Sequence, residues 1–134
     1  MILPTGTTIA VTDGETVRLF HNTGIKHGVH LIEVTAVPPA PTRSGSGARH
    51  HTGSANPDGR RLAEDDFAAA TAAFLNKLSL DGTIEHLVVV SDPRTLGEMR
   101  KHFHRDLRGK IMGELAKDFS RRPLEDIASL IASA

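Results

Sequence analysis

Histidine, carboxylate, serine and arginine are the side chains here that could carry chemistry, and each occurs in groups. Among eight histidines the close pairs are His27 with His30, His50 with His51, and His102 with His104. Three or four converging ligands would bind zinc. No HExxH or comparable spacing occurs, so the pairs read as solvated surface histidines. Asp13 and Asp92 are the acids near predicted strand ends, and a two-metal nuclease would need several such carboxylates to converge. Asp13 is more simply a turn residue and Asp92 a helix cap. Glu64, Asp65 and Asp66 read as the acidic start of a helix. Ser44, Ser46 and Ser54 lie near His50 and His51, but a Ser–His pair needs rigid geometry that a Gly/Pro-rich stretch does not supply. No catalytic residue, metal site or cofactor is assigned.

The cations are grouped more densely. Arg100, Lys101, His102, His104, Arg105, Arg108 and Lys110 fall within eleven residues. If one helix runs through them, Lys101, Arg105 and Arg108 share a face opposite Leu96, Met99 and Phe103. Arg43, Arg49, Arg60 and Arg61 add positive charge upstream, with no acid between Arg43 and Ala55. Clustered cations can hold phosphates without base-specific geometry. Lys101, Arg105 and Arg108 with the four upstream arginines are the candidate nucleic-acid contacts; a solvated helix face and a soluble loop are the plainer explanation.

The elements that must position them follow from periodicity. Residues 7–12 are β-branched, Asp13-Gly14 signals a hairpin, and residues 16–20 alternate. Residues 30–37 read as a third strand, completing an antiparallel meander. Residues 38–61 hold four of the seven prolines and almost no large apolar side chain, which predicts a mobile loop. A helix opens at Glu64 with Phe67, Ala70, Phe74, Leu75 and Leu78 on its inner stripe, and Asp81-Gly82 stops it. Residues 84–90 are the most apolar strand, and the absence of alternation over 87–90 predicts cover on both faces. Asp92-Pro93 starts a second helix. Residues 110–117 fit either helix continuation or a strand. Pro123 starts a last helix with Leu124, Ile127, Leu130 and Ile131 inside. Phe67, Phe74, Val88, Val90, Leu96 and Phe103 are expected to share one core.

The chain has 134 residues, enough for one domain over 1–134, and 39% are hydrophobic. Lys plus Arg equals Asp plus Glu at 16 each, so any electrostatic partner must meet a local patch. Cysteine is absent, which excludes disulfides, Cys-ligated zinc and thiol nucleophiles. No apolar run approaches the ~20 residues of a membrane span, and the N-terminus lacks the features of a signal peptide. A cytoplasmic protein with no membrane contact is the expectation. The pattern predicts an α/β fold, helices covering a mixed sheet.

Three segments carry a family resemblance. Val11-Thr-Asp-Gly-Glu-Thr-Val-Arg-Leu-Phe-His-Asn22 resembles the opening hairpin of the bacterial host-attachment protein family, a relative of the central domain of archaeal and eukaryotic class-1 peptide-chain release factors. Leu87-Val-Val-Val-Ser-Asp-Pro-Arg-Thr-Leu-Gly-Glu-Met-Arg100 looks like its strand-to-helix signature. Glu114-Leu-Ala-Lys-Asp-Phe-Ser-Arg-Arg-Pro-Leu-Glu-Asp-Ile127 is similar to its closing segment. The resemblance implies a ribonuclease-H-like fold and tips residues 110–117 towards a strand. In release factors the loop before the first long helix carries a Gly-Gly-Gln tip that promotes peptidyl-tRNA hydrolysis. The corresponding residues here have no such tip, and the sequence contains no glutamine. Release chemistry is therefore not carried over, and the family's host-attachment label names a phenotype. The leading expectation, drawn from the basic residues together with the resemblance, is a non-enzymatic domain that binds RNA or a ribosomal surface through the basic loop and helix face. The alternatives are a protein-interaction module acting in attachment or stress, and a metal-dependent ribonuclease-H-like hydrolase.

Overall fold

A computed structural model describes residues 1–26, 28–35 and 57–134. β-Branched residues favour extended backbone, and β1 runs Thr8–Thr12. Asp13 then turns the chain. Its Oδ1 accepts the backbone N–H groups of Glu15 at 2.7 Å and Thr16 at 2.6 Å, the self-bonding that makes Asp a turn residue. β2, Val17–Asn22, returns antiparallel with Val17 opposite Thr12. β3, Leu31–Val34, completes the expected meander. The Asn22 side chain shapes the β2–β3 connection: its Oδ1 accepts from the N–H groups of Gly24 and His30, and its Nδ2 donates to the Gly28 carbonyl. Gly24 permits this closeness, since a Cβ there would lie 2.3 Å from the Gly28 oxygen.

Helix α1 spans Pro57–Leu80, starting well before the expected opening at Glu64. Pro57 suits a first helical turn. The apolar stripe begins only later, and Leu62 is more than half exposed, so the first turns carry no burial signal. Residues 57–61, assigned to a loop from sequence, are thus helical in backbone. The rest of that predicted mobile loop, residues 38–56, falls outside the described residues. β4, Leu87–Ser91, is buried at every position. It lies parallel to β1 on one side and to β5, Ile111–Ala116, on the other. The sheet order is β3-β2-β1-β4-β5. This is an α/β fold with a mixed sheet and flanking helices, as expected.

The segment after β4 departs from expectation. Asp92 caps α2, Pro93–Arg100, by accepting the Thr95 N–H at 3.0 Å. The helix then stops. Asn76 on α1 donates to the His102 carbonyl and accepts the His104 N–H. His104 Nδ1 in turn accepts the Asp106 N–H, capping a short α3, Arg105–Arg108. Residues 110–117 therefore form a strand and not a helical continuation. The four-residue spacing of Leu107, Ile111 and Leu115 is not a helical stripe: β5 carries an irregularity, with Leu87 opposite Ile111 and Val88 opposite Gly113, so Ile111 packs on one face of the sheet and Leu115 on the other. Met112 is the extra, exposed residue. The last helix, α4, is Leu124–Ser133, with Pro123 at its N-cap.

Alternate strand residues point to opposite faces, so there are two cores. On one face Ala10, Leu19, Leu87 and Val89 pack with Ala68, Ala72, Leu75, Leu96, Met99, Phe103 and Leu107. On the other, Ile9, Val11, Phe20, Val88 and Val90 pack with Leu3, Ile127 and Ile131. The expected single cluster is corrected accordingly: Val88 and Val90 lie across the sheet from Leu96 and Phe103. Phe67 is buried but belongs to neither cluster, and Phe74 is only partly buried at the edge of the first. Phe20→Ala is expected to lower the unfolding free energy by about 3–5 kcal/mol in urea titration. Phe74→Ala should cost clearly less; equal losses would contradict this packing.

Candidate functional site

Strand direction sorts the polar side chains to two ends of the sheet. At the carboxyl ends of β1 and β4 stand Asp13 and Asp92. Both are engaged. Asp13 Oδ2 accepts the Ser120 hydroxyl at 2.8 Å while its Oδ1 closes the hairpin turn. Asp92 Oδ2 holds the start of α2. Glu64 packs its side chain on Gly14, where a Cβ would approach it to 2.8 Å. Asp65 pairs with Arg94 at 3.2 Å. Among the described residues no three His, Asp or Glu side chains are arranged to hold a metal ion; His27, His50 and His51 fall outside them.

Burial pushes the Asp13 carboxyl up, but hydrogen bonds from the Glu15 N–H, the Ser120 hydroxyl and Thr16 outweigh it and hold the group below the usual range. Asp13 therefore stabilises the fold above the carboxylate range, and that contribution disappears as pH falls through its depressed pKa.

The amino end of the parallel strands is built differently. Backbone bonds from Thr8 N–H to the His86 carbonyl, and from Leu87 N–H to the Lys110 carbonyl, bring the α1–β4 and α3–β5 junctions side by side. Asn22 and Thr7 join the β2–β3 connection to the same end. Lys110 pairs with Asp106 there, and Lys77 and Lys110 both act on the Asp81 carboxyl.

The predicted contacts are distributed unevenly. Arg43 and Arg49 lie outside the described residues. Arg60 and Arg61 are in the first turns of α1 in backbone, and their side chains lie outside the described set. Lys101, Arg105 and Arg108 are all exposed but do not share one helical face, since α2 ends at Arg100 and α3 starts at Arg105. Lys101 follows α2 and pairs with Glu98 at 3.0 Å. Arg108 donates from Nη2 to the Arg100 carbonyl at 3.0 Å. The Arg105 guanidinium has no side-chain or carbonyl partner among the described residues.

Other cations nearby are neutralised. Lys110 reaches Asp106 at 3.2 Å and the Ser79 carbonyl at 2.8 Å. The Ser79 hydroxyl, then Lys110, hold the Asp106 carboxyl below its usual range. Arg100 bonds Glu114 at 2.6 Å. Arg100, Phe103, Arg108, Ile111 and Glu114 line an open cleft of about 300 Å³ beside edge strand β5. Sequence reasoning listed Arg108 here and missed Glu114 and Ile111, because only the break after α2 brings β5 beside Arg100.

The model of bacterial archaeo-eukaryotic release factor family 12 matches residues 6–131. The chain belongs to that family. The release-factor relationship thus extends from before β1 into α4, and the host-attachment label is not part of it. No curated protein matches this release-factor-family chain. No helix among the described residues is long and apolar enough to cross a membrane.

Urea midpoints for wild type and Asp13→Ala should differ most near neutral pH and converge as pH falls through the depressed pKa of the carboxyl. A gap that stays constant with pH would mean that Asp13 acts through packing alone.

Proposed function

We propose that this release-factor-family chain is a non-enzymatic domain that binds RNA, free or on the ribosome, through the cationic amino end of its sheet. The observation that supports this most is Arg105: an exposed guanidinium without a counter-ion among the described residues, three residues from Arg108 and close to Lys101 in the chain. A cation left unpaired on a surface where Arg100, Lys101 and Lys110 all have acidic partners is available to a phosphate. The non-enzymatic part of the reading draws on Asp13 and Asp92, whose oxygens are taken up by turn, cap and loop contacts. Any effect on host attachment would be downstream of that contact.

A protein-interaction module without RNA contact is the second reading. It draws on the same pairings, which shrink the positive field to a few groups. Uridine-only RNA separates the two, because it offers phosphates and little else. Affinity should fall steeply with added salt as counterions are released. Replacing Lys101, Arg105 and Arg108 together by Glu should weaken it by at least about tenfold at low salt. The melting temperature should stay nearly unchanged, since all three are exposed. Wild-type protein that binds neither this RNA nor ribosomes at low salt would overturn the reading in favour of a protein partner.

A further inference from the structure

The cleft beside β5 has a chemical character distinct from the charged surface around it. It is lined by two apolar side chains, Phe103 and Ile111, together with Arg100, Arg108 and Glu114. Glu114 is held in place from one side only. Both Arg100 Nε, at 2.9 Å, and Arg100 Nη2, at 2.6 Å, donate to its Oε1. Oε2 has no partner among the described residues, and with Glu114 lining the cleft it is available as an acceptor. Arg108 uses only Nη2, on the Arg100 carbonyl, and keeps its other N–H groups as donors. The Arg100 guanidinium is 56% exposed yet fixed by Glu114, which makes it a flat, ordered plane at the rim.

A ligand for this cleft must be planar and small, with acceptors towards one wall and donors towards another. Unpaired RNA bases fit that description. They are read by stacking on aromatic or guanidinium planes and by hydrogen bonds along their edges. Guanine alone carries two acceptors, N7 and O6, beside a donor edge formed by N1–H and the 2-amino group; arginine on N7 and O6 is the commonest specific base contact. The volume, about 300 Å³, is at the small end for ligand sites and suits one nucleotide.

We infer that the cleft of Arg100, Phe103, Arg108, Ile111 and Glu114 is a guanine-selective pocket, with Arg108 donating to the acceptor edge and Glu114 Oε2 accepting from the donor edge. This rests on the RNA reading above: Arg105 and Lys101 would hold the flanking phosphates while one guanine turns into the cleft.

The test compares short single-stranded oligonucleotides by fluorescence anisotropy: uridine-only, the same with one central guanosine, and the same with central inosine. The guanosine oligonucleotide should bind at least about tenfold tighter than the uridine-only one, in keeping with a good bidentate base contact. Inosine, which lacks the 2-amino group, should recover only part of that gain. Glu114→Gln keeps an oxygen for Arg100 but turns the free acceptor into a donor. It should abolish the guanosine preference while leaving uridine-only binding at least as tight as in wild type. A melting curve checks that this variant is folded, and Arg108→Lys gives a second variant with its charge kept and its forked donors lost.

Equal affinity for all three oligonucleotides would overturn the pocket and leave the RNA reading standing. A guanosine preference that survives Glu114→Gln in a folded protein would also overturn it. If guanosine monophosphate binds in a Glu114-dependent way and no oligonucleotide does, the pocket stands as a free-nucleotide site and the RNA reading falls.

Discussion

β1 and β4 lie side by side and bury every one of their side chains, and most of the molecule follows from that. A strand buried on both faces requires cover on both. The chain supplies α1 with α2 on one face and α4 on the other. Parallel pairing cannot be closed by a tight turn, so β4 must be reached by a crossover, and α1 is that crossover. The same strand direction then decides where loops emerge. Asp13, Asp92 and the β5–α4 loop come out at the carboxyl end, and the α1–β4 and α3–β5 junctions at the other.

The β5–α4 loop shows how few bonds hold such ends together. Arg18 on β2 binds Glu33 on β3 through Nε and Nη2 and donates from Nη1 to the Arg122 carbonyl at 2.7 Å. Its guanidinium also lies 5.0 Å from the Phe20 ring centre. Ser120, nearly buried, stands 2.8 Å from both Asp13 Oδ2 and Asp118 Oδ1, so one hydroxyl proton serves two carboxylates. Hairpin, edge strand and loop are thereby joined at polar contacts that no hydrophobic pattern encodes.

That distinction explains what could be read from sequence. The Asp13-Gly14 hairpin, the Asp92-Pro93 helix start and the buried run at 87–90 are local signals, and each is present in the structure. The helix break after Arg100 was not legible, because its cause is Asn76, 26 residues away, bonding to the backbone at 102–104. The grouping of Val88 and Val90 with Leu96 failed for a different reason: composition marks a residue as buried but not on which face of the sheet. Period-2 alternation would have assigned the faces, and a strand apolar on both sides hides it. The cationic patch was visible as a run of basic residues. Its neutralisation by Glu98, Asp106 and Glu114 was visible only in part, since Glu114 comes from another element.

The break matters more than its length suggests. A helix running on through Lys110 would have carried Arg105 and Arg108 along a single cylinder and left no strand at the sheet edge. By binding the backbone of His102 and His104, Asn76 ends α2 early enough for β5 to pair with β4. Phe103 is thereby directed into the core instead of along a helix stripe. Glu114 comes within reach of Arg100, and Arg108 closes over the Arg100 carbonyl. One amide side chain on α1 thus sets the edge strand, the partial neutralisation of the patch and the cleft at once. Fold alone does not assign a function, and it is this local departure from a regular helix that gives the chain a surface with chemical character.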